Sequence, residues 1–168
     1  MKKTILLFIL IIILNTTIFA QSEQEIAGAK MAVSLGPEWN MNSGENFAGG
    51  LSLGFDYNLP ISAAPFAVGV SVSGSNNFYN SGVIEGSGLF RWYFLNLGNS
   101  NHRFTGFFAQ ADLGAFFIFE NDKTTPLFMG GLRGGYRLPI GPLFFVEPYG
   151  RLGYPFAFGI GAIAGVRF

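Results

Sequence analysis

The sequence contains no cysteine and one histidine, and Lys, Arg, Asp and Glu together make up only 12% of its 168 residues. Without thiols there is no disulfide framework, no thiolate metal site and no lipid-modified cysteine anchor. Soluble domains carry roughly 25% charged residues, so the charge content is low for one of them. Basic and acidic residues number ten each, which leaves no basic face for nucleic acid. Long apolar runs are also missing. Past Leu14 no stretch reaches the ~20 residues a membrane-spanning helix needs. What the chain has in quantity is phenylalanine, 20 residues, and glycine, 24 residues, dispersed through short segments.

The first of those segments is of another kind. Met1-Lys2-Lys3, an apolar stretch from Ile5 to Leu14, the polar Asn15-Thr16-Thr17 and then Ile18-Phe19-Ala20 read as a secretory signal peptide, residues 1–20, cleaved after Ala20. Residues 21–168 then form one domain by length, with eight basic against ten acidic residues once Lys2 and Lys3 are gone.

From Lys30 onward, eight segments alternate apolar and small or polar residues with period two, each bounded by Gly, Pro, Asn or Ser. They lie at about 30–39, 47–58, 65–74, 83–94, 103–119, 127–138, 143–154 and 158–168. The third is the cleanest, with Phe66, Val68, Val70 and Val72 against Ala67, Gly69, Ser71 and Ser73. In the fifth, Phe104, Phe108 and Phe116 break the pattern. Pro148 in the seventh removes a ladder donor and predicts a bulge or local defect. Apart from the longer fifth, the segments have about the 9–11 residues of a membrane-spanning strand, and the fold class read from them is all-β, an eight-stranded antiparallel up-and-down transmembrane β-barrel. An even strand count puts both ends on one side. The polar connections 40–46, 74–82, 120–126 and 155–157 then point outward, and 59–64, 95–102 and 139–142 are periplasmic turns. Trp39, Trp92, Tyr57, Tyr93, Tyr136 and Tyr154 fall near strand ends, where aromatic girdles belong.

A barrel of eight strands is filled by its own side chains. The polar faces place Glu38, Asp56, Glu85, Asp112 and Glu147 inside with Arg91, Arg133, Arg137, Arg151 and Arg167. Strands with two charges, at 85 and 91, 133 and 137, or 147 and 151, hold both on one face. Arginine suits this role because its planar fork binds carboxylates bidentately and stays charged when desolvated. The interior network reads as a structural plug rather than a gated ion path, with inward Gly and Ser making room for long side chains.

No catalytic constellation emerges, and the chain is read as a non-enzyme without cofactor or metal. His102 belongs to a periplasmic turn, away from the outer face where lipid-active barrel enzymes carry their chemistry. Glu120, Asp122 and Thr124 lack the glycine and terminal glutamate of a calcium loop. Gly130-Gly131-Leu132-Arg133-Gly134-Gly135 precedes no helix, so it is no phosphate loop. Gly49 to Ile61 and Gly130 to Ile140 look alike, either through a duplicated half-barrel or through two hairpins under one constraint.

The last segment sets Phe158, Ile160, Ala162, Ala164, Val166 and Phe168 on one face and Gly159, Gly161, Ile163, Gly165 and Arg167 on the other. With the signal peptide, the strand count and the charged interior, this resembles the small eight-stranded outer-membrane proteins of the OmpA/OmpX type over residues 30–168. The resemblance implies an outer-membrane location in a diderm bacterium and outer-membrane lipid as surroundings. It also implies that Phe158, Ile160, Val166 and Phe168 form the signal read by the barrel-assembly machinery. The expected role is structural or surface-interacting. A small pore, a lipid-active barrel, or an exported soluble barrel that binds an apolar ligand inside are the alternatives. The soluble binder requires Phe128 inside and Arg133 outside.

Overall fold

The computed structural model describes residues 29–41, 47–60, 65–77, 81–95, 104–120 and 123–168. The signal segment 1–20 and His102 lie outside the described residues. Eight strands follow in chain order: β1 (Met31–Met41), β2 (Phe47–Asn58), β3 (Phe66–Asn76), β4 (Ser81–Leu95), β5 (Gly106–Glu120), β6 (Lys123–Ile140), β7 (Phe144–Tyr154) and β8 (Phe158–Arg167). Each pairs antiparallel with its sequence neighbours, and β8 returns to β1, so the sheet is a closed barrel. Closure runs from Met41 opposite Phe158 to Ala32 opposite Arg167. The Phe168 amide donates to Met31 O at 2.9 Å, and Phe168 O accepts from the Met31 and Lys30 amides at 2.9 and 3.0 Å.

Period-two patterning decides which side chain goes where. β1 alternates exposed and buried through ten residues. The exterior carries Leu51, Val70, Phe90, Leu113, Leu132 and Ile160, each about half exposed or more. Phe128 is 69% exposed and Arg133 6% exposed, the reverse of what an interior apolar binding site requires. At one end of the barrel the outer rings form a chain across four strands: Phe66, Trp92, Phe94, Phe107 and Tyr136, with neighbouring centroids 4.9 to 6.5 Å apart.

Several sequence expectations shift. β3 and β4 extend into the segment read as the loop 74–82, and β6 begins at Lys123 inside the segment read as 120–126. Thr124 and Thr125 are β-branched and continue the ladder opposite Phe119 and Ile118. β5 starts at Gly106 rather than 103. Tyr93 is not a girdle residue: it is 1% exposed and faces inward between Phe104 and Phe108. A bulge does occur among the described residues, where Tyr93 and Leu95 face consecutive residues of β5 and Phe94 is the extra one. At Pro148 the β6 ladder skips Tyr136 and Arg137 without losing register, so the missing donor leaves a gap rather than a bulge.

Candidate functional site: the charged barrel interior

The interior is unevenly filled. β2 and β3 offer Ala48, Ser52, Ala67, Ser71, Ser73 and Ser75, while β4 to β7 send in arginines and rings. Small residues on one wall leave room for long ones from the other, as packing density demands. All ten charged residues expected inside are buried, at 6% exposure or less.

They separate into two tiers. In the tier nearer the β6–β7 turn, Arg137 forms a fork on Asp56, Nη2 to Oδ2 at 2.7 Å and Nη1 to Oδ1 at 3.4 Å. Its Nε donates to Glu147 Oε2 at 2.6 Å. Arg91 donates from Nη1 to the same Glu147 oxygen at 3.0 Å, and its Nη2 lies 2.9 Å from Oε1, off the line of a good hydrogen bond. Arg91 also reaches Asp56 at 3.5 Å and donates from Nε to Gln110 Oε1 at 2.8 Å. Two acids here balance two arginines.

In the other tier Arg151 bridges Glu38 at 2.8 Å and Glu85 at 2.7 Å. Glu38 further accepts from Tyr149 Oη and Asn40 Nδ2 at 2.6 and 2.7 Å, and Glu85 from Ser73 Oγ at 2.9 Å. Arg133 is held more loosely, 3.7 Å from Glu38 and 3.8 Å from Asp112, with its Nε lacking a hydrogen-bond partner. Gln110 Nε2 donates to Asp112 Oδ1 at 2.6 Å and so links the tiers. Three acids meet two arginines in this tier.

Arg167 joins neither tier. Its guanidinium donates to Pro142 O at 2.7 Å and Gly141 O at 3.0 Å, tying the end of β8 to the β6–β7 turn. Gly141 turns there with φ 64°, a left-handed conformation that glycine adopts without strain. The five-against-five balance read from the sequence is therefore four arginines against five acids.

The arginines are also stacked on rings, which the sequence reading did not foresee. Arg91 lies over Phe108 at 4.3 Å, Arg137 over Phe145 at 4.1 Å, Arg133 over Tyr149 at 4.4 Å and Arg151 near Phe156 at 5.8 Å. Such contacts contribute about 2 kcal/mol or more when desolvated. Phe108 and Phe116, the pattern breakers of β5, are buried inward at 1% and 0% exposure. Phe156, in the connection read as an outward loop, folds into the interior. The signal for Phe108 and Phe116 was available, since Gln110 and Asp112 put even positions of β5 inside. For Phe156 there was none, because a loop residue has no phase.

The glycines of β8 explain how the rings fit. A Cβ on Gly165 would lie 2.2 Å from Phe145 Cζ, on Gly161 2.4 Å from Tyr149 Cζ, and on Gly159 2.8 Å from Arg151 Cγ. Two stacks result, Gly165 under Phe145 under Arg137 and Gly161 under Tyr149 under Arg133. Gly161→Ala is thus expected to destabilise the barrel by about 1–3 kcal/mol through overpacking. Gly150→Ala, where the nearest atom to a new Cβ is 3.8 Å away, should be near neutral. Paired urea titrations check this, and equal midpoints for the two variants would refute the stacking account.

Among the described residues no group of three or more His, Cys, Asp or Glu is placed to hold a metal ion. No protein-family model matches the sequence, and a search of curated proteins found no match. Solved structures do match. The fold is similar to that of Neisserial surface protein A, with a TM-score of 0.61 and 12% identity over 84% of this chain and 97% of that one. It is also similar to the N-terminal β-barrel domain of OprF from Pseudomonas aeruginosa, at 0.53 and 14% over 83% and 99%. At these identities the likeness is one of fold: the chain has the closed eight-stranded architecture of the small outer-membrane barrels.

Proposed function

We propose that this chain is a non-enzymatic integral outer-membrane barrel whose lumen is closed by the two-tiered charge network, with a structural or surface-interaction role. The observation that carries the reading is the inversion of polarity: four ion-paired arginines and five acids inside, and an apolar belt outside. A charge on a lipid-facing surface would cost about 2–4 kcal/mol at the bilayer midplane, so that distribution suits a bilayer and not water. The ring stacks on each paired arginine support a plug over a pore, because they fill the lumen beside the charges. Bilayer lipid surrounds the belt, and a cleaved signal after Ala20 delivers the chain to the outer membrane.

The test is electrophoresis of unboiled and boiled outer-membrane fractions, followed by planar-bilayer recording. A heat-dependent mobility shift without conductance steps is expected. Absence of membrane association would overturn the barrel reading, and regular conductance steps would overturn the plug.

Phe158, Ile160, Val166 and Phe168 serve in this reading as the signal for the assembly machinery. Phe168→Ala keeps the backbone hydrogen bonds that Phe168 makes with Lys30 and Met31. Its outer-membrane yield should fall while the urea midpoint of the fraction that inserts is nearly unchanged. Normal yield would remove Phe168 from that role.

A further inference from the structure

A groove of about 540 Å³ opens on the barrel exterior across β2 to β5, lined by Gly49, Leu51, Gly74, Asn76, Gly82, Ile84 and Phe119 among others. The register places Gly49, Asn76, Gly82 and Phe119 in one cross-strand row and Leu51, Gly74 and Ile84 in the next. Glycines form its floor and Leu51, Ile84 and Phe119 its walls. Most inward glycines of this barrel are demanded by a neighbour: a Cβ on Gly50 would lie 2.2 Å from Gly74 O. The outward ones here are not. A Cβ on Gly74 would meet nothing within 4 Å, and on Gly82 only Ser75 O at 3.9 Å. Glycine weakens a strand and offers nothing to pack, and among the described residues no side-chain atom lies within 4 Å of a Cβ built at either position.

We propose that the groove is a binding site for a hydrocarbon chain of a membrane lipid. The proposal rests on the reading of the chain as a membrane barrel, since the groove is continuous with the apolar belt through Leu51 and Ile84. The lining contains no Lys, Arg, Asp or Glu, which selects the acyl chain over a phosphate-bearing headgroup.

The experiment uses the refolded protein in phosphatidylcholine–phosphatidylglycerol vesicles containing a phospholipid with a photoactivatable acyl chain, with adducts mapped by peptide mass spectrometry. Labelling concentrated at Leu51, Ile84 and Phe119 over the rest of the exterior is expected. Gly74→Val and Gly82→Val fill open space, so they should keep the heat-dependent mobility shift and lose that excess labelling. Uniform exterior labelling, or an excess that survives both substitutions, overturns the site while leaving the membrane reading intact. No exterior labelling at all overturns both. Dimers trapped through Ile84→Cys in place of lipid adducts would assign the groove to a second copy and overturn the lipid site.

Discussion

Glu147→Ala is expected to lower the stability of the barrel by about 3–5 kcal/mol, the cost of breaking a buried ion pair from one side. Glu147 is 0% exposed and holds two guanidiniums at once, Arg137 at 2.6 Å and Arg91 at 3.0 Å. With it gone, Asp56 alone faces two buried positive charges. Neither arginine can escape by releasing a proton, because guanidinium stays charged under all relevant conditions. Arg133→Met removes a charge from the other tier, and the loss there should be clearly smaller. Its ion contacts are 3.7 and 3.8 Å long, and Glu38 keeps Arg151 at 2.8 Å when Arg133 is gone. Urea unfolding of both variants in vesicles measures the contrast. A Glu147→Ala loss under about 1 kcal/mol, the range of exposed pairs, would mean that water reaches Arg91 and Arg137, and the lumen would then be no plug.

The inward direction of these charges follows from alternation, because Glu85 and Arg91, Arg133 and Arg137, and Glu147 and Arg151 each keep one face of a strand, but alternation also counted Arg167, which stays outside the network. The partition into tiers does not follow from it. Arg91 meets Glu147 across 56 positions and Arg137 meets Asp56 across 81, and those distances follow from the stagger of strands around the barrel, which no single segment encodes. The same stagger hides the tie between Arg167 and the β6–β7 turn and leaves one tier with an extra acid. The glycines of β8 were legible as space, and the occupants of that space, Phe145 and Tyr149, were not, since cross-strand neighbours exist only after the register is known. Strand ends drifted where polar residues such as Thr124, Thr125 and Asn76 read as loop yet pair as strand.

Leu132→Arg is expected to cost about 2–4 kcal/mol, although its neighbour at 133 is a native arginine. Leu132 sits in the middle of β6, paired with Ala111 on β5 and Leu152 on β7, and it is 64% exposed on the apolar exterior. Arg133, one residue on, points to the other face and finds Glu38, Asp112 and the Tyr149 ring. One step along a strand reverses the side of the sheet, so the same side chain passes from a site with counter-charges to one facing hydrocarbon. Lys123→Arg, near the fully exposed start of β6, controls for the added guanidinium and should change nothing. The comparison is made by urea unfolding in phospholipid vesicles and again in aqueous buffer with the detergent removed. In a bilayer the penalty is present for Leu132→Arg and absent for Lys123→Arg. A barrel built for water gains solubility from Leu132→Arg and loses no stability, and that outcome would place the apolar belt against something other than lipid.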